Sequence, residues 1–174
     1  MATRGYHAAE TIDYDLMALD REPPAAAFRS GPSGLIIRAP AKNDTDEIFR
    51  LQAAYEQEEV LPRHAVFNAA ASRIGLERAL GSEQMLVAEL DGVIVGKINT
   101  SARSFTRYQI GGVFVRPDCR GMGIGLSMGA AFFRALILGG SGATLFVKKK
   151  NAAARALYRR LGFTILGDYR ISYY

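Results

Sequence analysis

The chain has 174 residues, enough for one domain with a single buried core, and its apolar and charged fractions are those of a globular protein rather than a disordered or fibrous one. Lys and Arg number 22 against 17 Asp and Glu, a net charge of +5 that favours anionic partners without choosing among nucleic acid, acidic lipid and a phosphorylated cofactor. A single cysteine, Cys119, excludes an internal disulfide, and no apolar run is long enough for a membrane span, so the cytoplasm is the expected compartment.

The first residues, MATRGYHAAETIDYD, have no apolar core and turn acidic beyond residue 10, unlike a signal peptide. Residues 1–33 hold a short Tyr/Leu/Met segment, Ile12 to Leu19, and then REPPAAAFRSGPSG. Pro23-Pro24 and Gly31-Pro32-Ser33-Gly34 punctuate this stretch as a linker. It reads as an extension, with the folded domain spanning residues 34–174.

Leu35 to Arg38 is the first expected strand. Asn43 or Asp44 is placed to cap a helix through Ile48, Leu51 and Tyr55, with Asp46 and Glu47 in its first turn. After Pro62, a second helix is expected over Phe67 to Leu80, with Ala70, Ile74 and Leu80 inward and Gly81 ending it. Met85–Leu90 and Val93–Thr100 flank Asp91-Gly92, a strong hairpin signal because a type I′ turn needs two residues with positive φ. Tyr108–Val115 is a further strand. Leu126, Ala130, Phe133 and Ile137 then repeat at helical spacing, stopped by Gly139-Gly140-Ser141-Gly142. Ala143–Val147 is a strand, Asn151 opens a short helix, and Phe163–Leu166 and Tyr169–Tyr174 close as two strands. The order β-α-α-β-β-β-α-β-α-β-β predicts an α/β domain with a mixed sheet.

The strand-to-helix turn from Val113 to Gly125 reads VFVRPDCRGMGIG. Glycines allow positive φ and close approach of backbone to a ligand, and a helix N-terminus presents unpaired N–H groups at the positive end of its dipole. Gly121, Gly123 and Gly125 before a helix therefore suit a pyrophosphate, with Arg120 as a fixed charge; a turn that only tightens the connection uses the same residues. Leu126 and Met128 stand where a dinucleotide fingerprint needs glycine, and no Gly-Lys-Ser/Thr follows for a P-loop. Further on, Asn151 caps a helix whose Leu157, Tyr158 and Leu161 share a face. Tyr158 there suits either a core tyrosine or a site residue.

The run Arg120-x-x-Gly123-x-Gly125 after a Val-x-Val strand resembles the acyl-CoA-binding signature of the GNAT superfamily of acetyltransferases. Asn151-x-x-Ala154-x-x-Leu157-Tyr158-x-x-x-Gly162-Phe163 resembles that superfamily's following motif. Gln109 to Val113 and Leu145 to Asn151 look most like a bacterial subgroup of predicted acetyltransferases with no assigned substrate, whose members often carry a further N-terminal domain. The resemblance implies a mostly antiparallel mixed sheet splayed at the cofactor site, acetyl-CoA as cosubstrate and an amine acceptor, either a small molecule or a protein or peptide. It implies that the backbone of Val113, Phe114 and Val115 binds the pantetheine arm. The amides of Gly121, Met122, Gly123, Ile124, Gly125 and Leu126, beside Arg120, would hold the pyrophosphate. Asn151 would contact pantetheine or position its helix, and Tyr158 would be the general acid for the departing thiolate. A phenol near pKa 10 is still protonated at pH 7, so that role is chemically sound. Members of the family often form homodimers.

One departure concerns the base. The strand before the turn offers Gln109, which cannot take a proton, so Glu58 and Glu59 are the candidates for the base or for binding a cationic amine; a solvated helix end is the commoner fate of such residues. Lys148-Lys149-Lys150 with Arg155, Arg159 and Arg160 forms a basic cluster for CoA phosphates, for nucleic acid or for plain solvation. Asp168 and Tyr169 are read as a turn near the acceptor pocket. With only His7 and His64, neither in a motif, no metal site or Cys–His pair is expected. Two other functions stay open: a CoA-binding regulatory module without turnover, and a basic nucleic-acid-binding domain, although no RNP-type strand or helix-turn-helix supports the latter.

Overall fold

The computed structural model describes residues 8–29, 31–62 and 65–173. Its strands are β1 (Glu10–Leu19), β2 (Leu35–Arg38), β3 (Met85–Leu90), β4 (Val93–Arg103), β5 (Arg107–Val115), β6 (Gly142–Lys148) and β7 (Thr164–Tyr173). Its α-helices are α1 (Thr45–Tyr55), α2 (Ala69–Ser82), α3 (Ile124–Leu138) and α4 (Ala152–Arg160). The strands form one sheet in the order β2-β3-β4-β5-β6-β1-β7. Among the described residues only β5 and β6, joined through α3, pair in parallel; every other pair is antiparallel. The expected α/β class with a mixed, mostly antiparallel sheet is the observed one.

Asp91 (φ 51°) and Gly92 (φ 79°) make the β3–β4 turn, as their sequence requires. Asp44 precedes α1 but does not cap it with its side chain. Its carboxylate accepts instead from the Ala41 N–H and the Arg38 guanidinium, and lies below the usual carboxylate range chiefly through Arg38. Asn68 caps α2 by accepting from the Ala71 N–H, and the helix runs through Gly81 rather than ending at it. Leu76 is its buried anchor, whereas Ile74 faces outward.

Two cores sandwich the sheet. On one face, α3 and α4 bury Leu126, Met128, Phe133, Leu136, Tyr158 and Leu161 against Val95, Ile98, Ile110 and Leu145. On the other, Ile48, Leu51 and Leu76 pack on Met85, Val87, Ile94 and Phe114. Each large apolar side chain buried here contributes about 2 kcal/mol of transfer free energy.

Two expectations are corrected. Residues 1–33 are not all extension: β1 lies inside the sheet, pairing with β6 from Tyr14↔Lys148 to Leu19↔Ala143 and with β7 along its whole length. Its acidic residues disguise it, because Asp15 is buried in ion pairs with Arg155 on α4 at 2.7 Å and with Lys149 at 3.8 Å. The domain boundary at residue 34 therefore falls within one sheet. The closing pair of strands is a single strand, β7, since Gly167 and Asp168 pair straight through with Leu16 and Asp15. Lys149 holds the Asp168 carboxylate at 2.6 Å, which lets Asp168 sit in a strand rather than a turn.

Candidate active site

The site begins where two parallel strands part. β5 and β6 pair only from Arg107↔Gly142 to Ile110↔Leu145, yet β5 runs on to Val115 and β6 to Lys148. Beyond Ile110 the strands have no mutual ladder, and a wedge opens between them. On its other side β5 is bulged, because its register with β4 shifts between Asn99↔Gly111 and Lys97↔Phe114. Gly112 takes φ 68° there, and a side chain at this position would collide with Asn99 and Lys97. The Gly112 carbonyl accepts from Lys97 Nζ at 3.0 Å, and Asn99 Oδ1 accepts from the same nitrogen at 2.9 Å. Lys97 is fully buried, with its ammonium 5.2 Å from the centre of the Tyr55 ring. Burial pushes its pKa down to about 7, against an opposing pull from Glu56.

A cavity of about 510 Å³ fills the wedge mouth, bounded by Gly111, Gly112 and Val113 of β5, by Asn151 and Tyr158, by Tyr55 and Glu59, and by Tyr14 of β1. Phe146, Tyr169 and Tyr173 complete a largely aromatic wall. Tyr158 is buried and meets Phe163 edge-on at 5.7 Å. Burial raises its phenol well above the ordinary value, and Tyr55 and Glu59 push the same way. Asn151 Oδ1 accepts the Ala154 N–H and so caps α4, while its Nδ2 donates to Glu59 Oε1 at 3.0 Å. Lys148, almost buried, lies 3.4 Å from the other Glu59 oxygen. One carboxylate, one amide and one ammonium thus form a linked trio beside a protonated phenol.

The two acidic candidates separate. Glu59 lines the cavity, whereas Glu58 is drawn off by Arg120, whose guanidinium pairs with it at 2.9 Å. Arg120 is itself engaged within the fold. Its Nε donates to the Val115 carbonyl at 3.0 Å and its guanidinium lies over the Phe114 ring, so the charge bridges β5 to the turn after α1. Phe114 buries its side chain in the α1/α2 core, and Ile124 and Leu126 theirs under α3, so these three offer backbone alone. Gly121 (φ 79°) and Gly123 (φ 80°) adopt the left-handed conformation, and Gly123 begins α3 with no side-chain cap on its first amides. A side chain at Gly121 would meet open space, and Met122 is exposed, so bare backbone faces outward at the helix start.

The basic cluster divides: Lys150, Arg159 and Arg160 are exposed, and the other three are engaged within the fold. Lys148 turns to Glu59, and Lys149 and Arg155 both pair with Asp15. Among the described residues no group of three His, Cys, Asp or Glu side chains is placed to hold a metal, and no helix is long and apolar enough to cross a membrane. His7 and His64 lie outside those residues. Sequence reasoning missed Tyr14, Tyr55 and Lys97 at the cavity, and read Lys148 only as part of the basic cluster. The one available signal was Lys97 itself, a cation in the apolar run VIVGKI of a central strand.

The solved structures that this fold resembles include a protein assigned to the GNAT family of acetyltransferases from Novosphingobium aromaticivorans, at a TM-score of 0.70 and 18% identity over 95% of this chain and 65% of that one. A GCN5-related N-acetyltransferase from Sphaerobacter thermophilus aligns at 0.66 and 26% identity over 97% and 53%. A tandem GNAT protein from the clavulanic acid biosynthesis pathway aligns at 0.68 and 14% identity over 95% and 55%. The chain thus spans between about half and two-thirds of these proteins. No curated protein matches it in sequence. The Acetyltransferase (GNAT) family model matches residues 45–163, from the first residue of α1 to the edge of β7 and across the whole wedge, and the chain belongs to that family.

Proposed function

We propose that the chain is an N-acetyltransferase that uses acetyl-CoA and an amine acceptor, with direct transfer between them. The observation that carries this reading is that a buried, protonated Tyr158, the Glu59 carboxylate and the bulged peptide of Gly112 line one cavity. When bound, acetyl-CoA supplies the activated thioester. The residues fit such a group: β5 beyond Ile110 offers an edge with no β6 partner, and Gly121 and Gly123 expose backbone at the start of α3. Val113, Val115 and the amides from Gly121 to Leu126 would hold it by backbone, with Asn151 fixing the facing helix.

Tyr158 Oη holds the proton that the departing sulfur takes up, and its raised pKa keeps it protonated at every working pH. Glu59 accepts the proton that the amine nitrogen must lose, and Asn151 and Lys148 fix that carboxylate in place. The aromatic wall, in which Phe146 and Tyr169 lie 4.7 Å apart, suits an amine on an apolar or aromatic body.

Thermal unfolding with acetyl-CoA, CoA and NAD tests the reading. A midpoint raised by acetyl-CoA and CoA but not by NAD is expected; no shift with either CoA species overturns it. Once an acceptor is found by thiol release from a panel of amines, Tyr158→Phe should lower kcat by about 100-fold with acetyl-CoA affinity nearly unchanged. Binding with no turnover on any amine would favour the regulatory module instead.

A further inference from the structure

We infer that Lys97 is a positioning residue, whose buried Nζ clamps the Gly112–Val113 peptide and so sets the N–H that the cavity wall presents to the acetyl carbonyl. The inference rests on the acetyl-CoA reading above.

A cation has no evident business in this strand. Lys97 lies in β4 opposite Phe114 and Val87, both of which are core residues. Its side chain is completely buried, and among the described residues its hydrogen bonds go to neutral groups, Gly112 O at 3.0 Å and Asn99 Oδ1 at 2.9 Å, with Glu56 acting on it without a hydrogen bond. A buried ammonium without a carboxylate partner costs stability, and a methionine would fill the same space without that cost. What the ammonium does here is geometric. It draws one carbonyl of β5 out of the ladder, at the residue where the strand bulges and takes φ 68°.

The peptide is planar and trans, so the Val113 N–H points opposite to the Gly112 carbonyl. Turning one turns the other. Gly112 and Val113 both line the cavity, and the clamp therefore decides which backbone donor stands there. Stabilising a carbonyl oxygen needs a donor fixed beforehand within a few tenths of an ångström. A side chain anchored on three sides, by Asn99, by Gly112 and by the Tyr55 ring, provides that fixity. Deprotonation does not release the clamp, because a neutral amine still has two N–H groups for the same two oxygens.

The test needs no acceptor amine. Calorimetry would compare acetyl-CoA, its S-ethyl thioether analogue, which lacks the carbonyl, and adenosine 3′,5′-bisphosphate. The wild type should prefer acetyl-CoA to ethyl-CoA. Lys97→Met should weaken acetyl-CoA about tenfold and erase that preference, with the other two ligands bound as before. Asn99→Ala, at a partly buried position, loosens one side of the clamp and should show a smaller loss of the same kind, which decides the matter if Lys97→Met does not fold. A wild type with no preference, a preference retained in both variants, or equal weakening of all three ligands would overturn the positioning role. A wild type that binds none of the three would instead refute the CoA reading itself, and the inference with it.

Discussion

The two faces of the sheet each bury a formal charge, and they treat it in opposite ways. On the α4 face, Asp15 is 3% exposed and meets Arg155 at 2.7 Å and Lys149 at 3.8 Å. On the α1/α2 face, Lys97 is 0% exposed, and among the described residues its hydrogen bonds go to neutral oxygens, beside the Tyr55 ring. Asp15 ties the strand that sequence reading set aside, β1, to the helix that carries Tyr158. Lys97 joins β4 to the bulge of β5 and to the Tyr55 ring of α1, and so bends the wall of the site. Of these two buried charges, the paired one serves assembly and the one held by neutral groups serves shape.

The largest expected effect is on the assembly side. Asp15→Ala leaves Arg155 and Lys149 without their shared partner and loosens β1 from α4. Both cations retain some exposure, so the loss should be about 2–3 kcal/mol, read as a lower midpoint in urea unfolding. A loss below 0.5 kcal/mol, on the scale of an ordinary surface pair, would break the comparison. Tyr14 stands one residue away on the opposite face of β1 and lines the cavity, so the same variant should also weaken whatever packs on the aromatic wall.

Lys97→Met should behave in the contrary sense. At pH 7 its stability should lie within about 1 kcal/mol of the wild type, since removal of a buried charge offsets two carbonyl oxygens left without a donor. The distinguishing readout is pH. The folded pKa of Lys97, about 7, lies below its unfolded value, so between those limits the unfolded chain holds more protons. The cost of burying the ammonium is then fully present below pH 7 and disappears as the pH rises. Wild-type stability should therefore gain on the variant by roughly 2 kcal/mol between pH 7 and pH 9, measured by urea unfolding at fixed ionic strength. A constant difference across that range would mean that the lysine keeps its ordinary pKa in the fold.

These residues also mark how far the sequence could be read. The α3 and α4 side of the site was legible, because Gly121, Gly123, Asn151 and Tyr158 do local work: positive φ, helix starts and a cap are written within a few positions of the residue itself. The opposite wall was not. Tyr14 reaches the cavity only because β1 inserts between β6 and β7, a pairing across more than a hundred residues that no local pattern announces. Lys97 was visible as an anomaly, yet its meaning depends on a bulge in the neighbouring strand. Glu58 and Glu59 show the same limit at its smallest scale. Adjacent and chemically identical in sequence, they part because one turn of backbone gives Glu58 to Arg120 and Glu59 to Asn151 and Lys148.

The smallest expected effect tests a residue that is itself engaged within the fold. Arg120 was read as a charge for the pyrophosphate, but its Nε occupies the Val115 carbonyl and its guanidinium the Glu58 carboxylate. The pair is nearly half exposed on both sides, so Arg120→Ala should cost no more than about 0.5 kcal/mol in stability. It also frees the last carbonyl of β5, the edge along which a pantetheine arm would lie. Acetyl-CoA affinity, measured by calorimetry, should accordingly change by less than about threefold, and the loss should not grow as salt is lowered. A tenfold weakening that steepens at low salt would show that Arg120 leaves Glu58 for the cofactor phosphates on binding. In that case a charge that the unliganded fold compensates would do its work elsewhere, and the division between assembling and shaping charges would hold for the buried residues alone.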